Sequence, residues 1–426
     1  MKISTRILCS VLFFSNFAFG AIPLNSFANY ENFFEDSITG SFLICYFRDK
    51  VTGEKSWEWA KDPRTQDFVR LYGTWTNSSA SALLKMNLSF DENKELFRKD
   101  CLSTNEASGR ASSRSYVEYG VADNLFSYNH QVWYEKNSKN QYGLPFSKFI
   151  VFGDSLSDNG NLLNYSRQFY PNGGYFMGRF SNGPVWTDYL AKQLNLDMYN
   201  WALGGATAIV PFPLPYTVEN EIDHYIETMK KVDHPNYENS LFAFFIGANN
   251  YSFNVDPVPE KIVQSTEAQI RMLIALGGKY FILPNLPEIA LTPSHSQESP
   301  QRQEELRNKI HQHNLLLASM IQRLKSDYPF AVFIAPDIFN FLNEIIQNKD
   351  KYNLKNVSEK CFQGTGIGKV HLENICPNPN EYVFWDFIHP TTQIHCAMVQ
   401  NLMVQMKEAF LLNLPQLTYD ECLQAK

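Results

Sequence analysis

Phe149-Ile-Val-Phe-Gly-Asp-Ser155-Leu-Ser-Asp-Asn-Gly-Asn161 is the stretch from which the rest of the chain becomes readable. Its four leading apolar residues form the short unbroken run expected of a strand buried on both faces, as in a parallel sheet covered by helices. Gly153 then lets the backbone turn sharply, so the next side chains stand at the carboxyl end of the strand, where open α/β sheets gather their ligands. Ser155 is placed there with its hydroxyl on the rim. By residue chemistry alone a capped helix start is an equal reading, with Asp154 or Ser155 accepting from free amides.

Downstream, strand and helix patterns alternate, which is the mark of a parallel sheet flanked by helices. Phe149 to Phe152, Leu241 to Ile246, Tyr280 to Leu283 and Ala331 to Ala335 read as strands. Pro259 to Leu276 reads as a helix stopped by Gly277-Gly278. Gln301 to Lys325 sets Leu306, Ile310, His313, Leu317, Ile321 and Leu324 on one face of another helix. Upstream the rhythm differs. From about Ala21 to Asn140 short β-like runs alternate with turn residues: Phe42 to Phe47, Phe68 to Trp75, Ala82 to Phe90 and Tyr116 to Tyr134. The polar stretch Asn137 to Pro145 reads as a linker. The expected organisation is therefore a β-rich domain over 21–140 ahead of an α/β domain over 147–426.

The first twenty residues have the form of an export signal, with Lys2 and Arg6 ahead of an apolar core and Ala18-Phe19-Gly20 as a cleavage site. Beyond it no apolar run is long enough to cross a bilayer. Removing Cys9 with the signal leaves six cysteines, which in an exported protein implies up to three disulfides. Fifteen connectivities are open, and neighbour pairing is the expectation: Cys45 with Cys101, Cys361 with Cys376, Cys396 with Cys422. No Cys-x-x-Cys spacing points to zinc. The formal charge of −7 becomes more negative still without Lys2 and Arg6, which disfavours nucleic acid as a partner.

Gly153-Asp-Ser155-Leu-Ser-Asp158 resembles the first block of the GDSL, or SGNH, hydrolase family, and three further blocks follow in order. Asn200-Trp-Ala-Leu-Gly-Gly205 resembles the glycine block and Ile246-Gly-Ala-Asn249-Asn the asparagine block. Trp385-Asp386-Phe-Ile-His389-Pro390 resembles the terminal Asp-x-x-His block, and Gly178 to Leu190 also looks like the family. The resemblance spans roughly Ser147 to Leu411 and implies a flavodoxin-like SGNH fold. A β-rich part ahead of such a core is similar to the arrangement in bacterial thermolabile haemolysins and related secreted phospholipases.

What the resemblance implies can be checked against the chemistry each residue type supports. Serine attacks an ester only when a base removes its proton, and histidine has the pKa for that task, which suits Ser155 and His389. Asp386 can accept the other imidazole N–H and stabilise the imidazolium. The N–H groups of Ser155 and Gly205 and the side-chain amide of Asn249 match the family's oxyanion hole; Gly204 is the competing choice. Asn250 stands where the family often has Asp. No cofactor or metal is called for.

The implied activity is release of acyl groups from phospholipids or lysophospholipids by a secreted enzyme, at a lipid surface, with a sterol as a further acyl acceptor. Two alternatives stand beside it: a carbohydrate acetyl or short-chain esterase with the same triad, and a binding module with an inert hydrolase core. The apolar Val210 to Pro215 segment is an acyl-groove candidate, and the Cys361 to Cys376 loop a lid candidate. Asp154, Asp158 and Asn161 are expected to brace the turn. His395 is expected to pack in a C-terminal helix. His311 and His313 should point to different faces of theirs. Trp57, Trp59, Trp75 and Trp133 read as domain core, with a lipid- or glycan-docking face as the alternative.

Overall fold

The computed structural model describes residues 39–418 and 422, apart from 52–54, 66, 74–75, 78–86, 89–93, 123–130, 133–141, 167–168, 212–215, 231–234, 368–371, 416 and 419–421. The export signal, most of the linker, and Trp75 and Trp133 lie outside these residues.

In the N-terminal part the central strand is β1 (Thr39–Asp49). It pairs antiparallel with β2 (Lys55–Trp59), β3 (Arg70–Gly73) and β6 (Arg114–Ala122); β7 (Gln131–Val132) extends the sheet beyond β6. A separate short pair joins β4 (Thr76–Asn77) to β5 (Asn87–Leu88). Successive side chains of a strand point to opposite faces. Leu43, Cys45 and Phe47 accordingly face helix α1 (Lys94–Ala107), packing with Phe97, Cys101 and Tyr119, and the Cys45–Cys101 disulfide ties helix to sheet. Ile44 and Tyr46 face the other way, into a cluster with Phe176 and Met177 of the C-terminal part. Both faces are covered, which explains why Phe42 to Phe47 is apolar without alternation. Helix α1 was not anticipated in a stretch read as β.

The tryptophan expectation needs correcting. Trp57 is 40% exposed, and Trp59 packs at the contact with the C-terminal part, so neither belongs to the N-terminal core.

The C-terminal part, which holds the candidate site, is built on a five-stranded parallel sheet in the order β12-β11-β10-β8-β9, with β8 at Lys148–Gly153, β9 at Asp197–Asn200, β10 at Ser240–Phe245, β11 at Tyr280–Ile282 and β12 at Val332–Ile334. Helices α2 (Asn161–Tyr165), α3 (Trp186–Leu194), α4 (Val218–Met229), α5 (Ala248–Ser252), α6 (Pro259–Ala275), α7 (Pro300–Asp327), α8 (Ile338–Gln347) and α9 (Thr392–Phe410) flank it. This is the α/β architecture expected. Every residue of β10 is buried, as is β8 after Lys148. The six residues placed on one face of α7 are all buried. Packing starts before residue 147: Leu144, read as linker, and Phe146 are in the main core. A parallel pair, β13 (Asn356–Lys360) with β14 (Tyr382–Phe384), was not foreseen; it delivers the chain to Trp385 and Asp386. The disulfides Cys361–Cys376 and Cys396–Cys422 complete the neighbour pairing. Among the described residues no helix is long and apolar enough to cross a membrane.

Candidate active site

The turn after β8 is fixed by the neighbouring strand. At Gly153, φ is +154°, and a Cβ there would lie 2.4 Å from the Phe245 carbonyl oxygen of β10, so no larger residue fits. The next residues curl tightly, with the amides of Ser157 and Asp158 donating to the Asp154 carbonyl at 2.9 and 3.0 Å. Ser155 is left facing His389, whose Nε2 is 2.7 Å from Ser155 Oγ.

The second turn is as compact. Asp386 Oδ1 accepts the amides of Ile388 and His389 at 2.8 and 2.7 Å, and Trp385 donates to the His389 carbonyl at 2.8 Å. Asp386 Oδ2 is then 2.8 Å from His389 Nδ1, and the imidazole packs on Phe180 with ring centres 4.8 Å apart. Burial alone would raise the Asp386 carboxyl. His389 and the hydrogen bonds it receives outweigh burial and hold it below the usual carboxylate range. The structure thus brings Ser155, His389 and Asp386 into one hydrogen-bonded line, although 234 positions separate the serine from the histidine.

Of the three expected donors, Ser155 and Asn249 both line the pocket beside His389. No protein group among the described residues accepts from the N–H of Ser155 or of Gly205, where φ is +85°. Gly204, the competing choice, is spent: its N–H donates to Asp158 Oδ2 at 2.7 Å. Asn249 Nδ2 gives one proton to the Ala206 carbonyl at 2.8 Å, which orients the amide and leaves the other proton available. Asn250 has a different task. Its Oδ1 accepts from Ala208 at 2.9 Å and its Nδ2 donates to the Ile209 and Val255 carbonyls at 2.9 and 3.1 Å. A carboxylate offers no donor, so asparagine suits this position.

Asp158 and Asn161 brace the site as expected. Asp158 accepts four backbone amides, from Gly160, Asn161, Leu162 and Gly204, and Asn161 Nδ2 donates to the Asn200 and Ala202 carbonyls. Burial still pushes the Asp158 carboxyl up to about 6. Asp154, whose carboxylate accepts the Leu156 amide at 3.1 Å, goes up to about 7, again through burial. Glu221 of α4 was missed. It accepts the amides of Gly153 and Leu203, stitching the nucleophile turn to the glycine block, and burial raises its carboxyl well above the usual range. An acidic residue on an amphipathic helix carries no sequence signal for such a role. His313 is buried against the Tyr251 hydroxyl and His311 is exposed, on different faces as foreseen. His395 is buried in α9, and loss of water drives its imidazole down to about 3.

Beside the polar centre lies an apolar pocket. Ser155, Asn249 and His389 form one side of it, while Leu156, Phe245, Ile289, Phe341, Leu342 and Met398 supply its walls. The two segments expected around it lie partly outside the described residues, 212–215 in one and 368–371 in the other. Val210 is half exposed and lines no part of the pocket. In the described part of the Cys361–Cys376 loop, Phe362 stacks flat on Trp385, the neighbour of Asp386, with 5.3 Å between centres.

The family model of GDSL-like lipase/acylhydrolases matches residues 149–402. A second model, the N-terminal domain of the Vibrio dual lipase/transferase, matches residues 24–135. Among curated relatives, the thermolabile hemolysin of Vibrio parahaemolyticus is 28% identical over 382 residues, 87% of this chain and 88% of that one. The phosphatidylcholine-sterol acyltransferase of Aeromonas hydrophila is 25% identical, over 59% of this chain and 88% of its own. The secreted effector protein SseJ of Salmonella typhimurium is 30% identical, over 58% and 61%. With the match running from β8 into α9, through both turns that face each other across His389, the chain belongs to the GDSL-like lipase/acylhydrolase family.

Proposed function

We propose that this chain hydrolyses acyl esters of phospholipids or lysophospholipids through an acyl-enzyme on Ser155, with a sterol hydroxyl as an acceptor alternative to water. His389 Nε2 takes the Ser155 proton as Oγ attacks the ester carbonyl. The carbonyl oxygen becomes negative and receives hydrogen bonds from the Ser155 and Gly205 amides and Asn249 Nδ2. Asp386 holds the imidazolium. His389 then gives the proton to the leaving alcohol oxygen as the ester C–O bond breaks. In the second half water, or a sterol hydroxyl, loses its proton to His389 and attacks the acyl carbonyl; the acyl–Oγ bond breaks as His389 returns the proton to Ser155 Oγ.

One observation carries the choice of lipid: the apolar pocket that shares Ser155, Asn249 and His389 with the polar centre. An acyl chain fills such walls, whereas a sugar acetate has one methyl to bury there. The name of the Aeromonas relative, a phosphatidylcholine-sterol acyltransferase, supports lipid and sterol. We also read residues 1–20 as an export signal and 21–140 and 147–426 as two domains of a protein that works outside the cell, at a lipid surface. The Salmonella relative's name supports export.

The test is fatty-acid release from phospholipids, lysophospholipids, triglycerides and acetylated sugars, with and without cholesterol, for wild type and Ser155→Ala. Ser155-dependent release from phospholipid is expected, with sterol ester among the products when cholesterol is present. Cleavage confined to sugar acetates would overturn the lipid assignment. Equal activity in Ser155→Ala would overturn the nucleophile.

A further inference from the structure

The loop between α2 and α3 faces two ways at consecutive residues. Phe176 and Met177 are buried against Ile44 and Tyr46 of β1, and the Arg48 guanidinium lies 5.4 Å from the Phe176 ring centre. Tyr175 turns into the catalytic part instead. Its phenol donates to Asp386 Oδ2 at 2.6 Å, the same oxygen that accepts from His389 Nδ1. The ring is enclosed by the edges of Tyr170, Phe180 and Phe362, with centres 6.2, 5.8 and 5.5 Å away. Gly366 closes the enclosure, since a Cβ there would come within 2.5 Å of Tyr175. A buried hydroxyl loses heavily when unpaired, so the ring cage and the hydrogen bond enforce each other.

We propose that Tyr175 is a positioning residue for the Asp386–His389 pair, and that the N-terminal sheet acts on catalysis through it by holding the Phe176–Met177 loop. This rests on the triad proposed above. A carboxylate oxygen shared by a phenol and an imidazole is fixed in rotation, and its charge is spread over two donors. The N-terminal part then belongs to the frame of the active site, in addition to anything its outer surface does. The other titratable groups facing the pair are Tyr170 from the same loop, Asp154 beside Ser155, and His395 from α9.

The experiment compares wild type, Tyr175→Phe, Ile44→Ala and the double variant in full-length protein on a soluble acyl ester. Thermal melts establish folding, and exhaustive organophosphonate labelling counts active sites. Tyr175→Phe removes one hydrogen bond to a charged group and should lower kcat about tenfold with KM changed by less than about twofold. The acid limb of its pH–rate profile should move to higher pH, because a carboxylate with one donor fewer holds the imidazolium more tightly. Ile44→Ala should lower kcat in the wild-type background and have no further effect beside Tyr175→Phe. An unchanged kcat and profile in Tyr175→Phe overturns the positioning role. Equal losses from Ile44→Ala in both backgrounds overturn the route from the N-terminal sheet. Ser155→Ala, run alongside, keeps the two readings apart: full activity there sinks the triad, whereas its loss with an indifferent Tyr175 sinks only this inference.

Discussion

The nucleophile turn and the Asp-x-x-His turn each bury an aspartate near the same imidazole, yet the two carboxyls are driven in opposite directions. Asp386 is held below the usual range and Asp154 is pushed up to about 7. Donor count does not separate them from their neighbour Asp158, which accepts four backbone amides and still rises to about 6. What Asp386 has in addition is two side-chain partners on Oδ2, the His389 imidazole and the Tyr175 phenol. Burial raises all three, and only at Asp386 do a directly bonded imidazole and the hydrogen bonds received outweigh it.

The widest separation between the turns should appear in kcat. Asp386→Asn removes the acceptor that fixes the imidazole tautomer and should lower kcat by on the order of 10⁴. Asp154→Asn, measured on the same ester, should cost far less; a loss of similar size would erase the contrast. Next in magnitude is the oxyanion side. Asn249→Ala should reduce kcat by about 10²–10³, while binding of substrate changes little. A loss confined to KM would place Asn249 in ground-state binding alone.

Asn250→Asp sharpens the contrast from another side, because it adds a carboxylate where the loop supplies acceptors. It would leave the Ile209 and Val255 carbonyls without their donor, and a stability loss of about 1–3 kcal/mol is expected in urea titration. Unchanged stability would mean that the loop re-forms around the acid.

The smallest effect concerns pH and stability. Asp154 has a folded-state pKa near 7 against 3.8 as an isolated group, so the native protein keeps a proton that the unfolded chain has released. Its contribution is fully present below about pH 4 and is lost as pH rises through 7, at no more than about 1.4 kcal/mol per pH unit. Asp154→Asn should flatten the fall in stability across that window. Asp158 and Glu221 act in the same direction, so some slope remains. An unaltered slope would show that Asp154 is ionised in the native protein.

The parts of this arrangement visible in the sequence are those written in contiguous residues. Gly153 to Ser155 and Asp386 to His389 each fold on themselves, so their spacing carries their geometry. The stripe from Leu306 to Leu324 is legible for the same reason. Residues whose partners are far away left no trace. Tyr175 meets Asp386 across 211 positions, and Glu221 reaches Gly153 across 68. The pocket walls come from the nucleophile turn, β10, α8, α9 and the segment holding Ile289, which no local pattern connects. Helix α1 was hidden because its apolar face is short, and the Cys45–Cys101 bond helps hold it on the sheet. Trp57 and Trp59 misled because aromatic residues serve cores and contact surfaces equally well.

The central claim is that Ser155 carries the acyl group. Rapid quenching during turnover of a slow aryl ester, followed by peptide mass spectrometry, tests it directly. The account predicts an acyl adduct on Ser155 that accumulates in the first turnover and is absent from Ser155→Ala. An adduct on another residue, or turnover by Ser155→Ala at the wild-type rate, would contradict it.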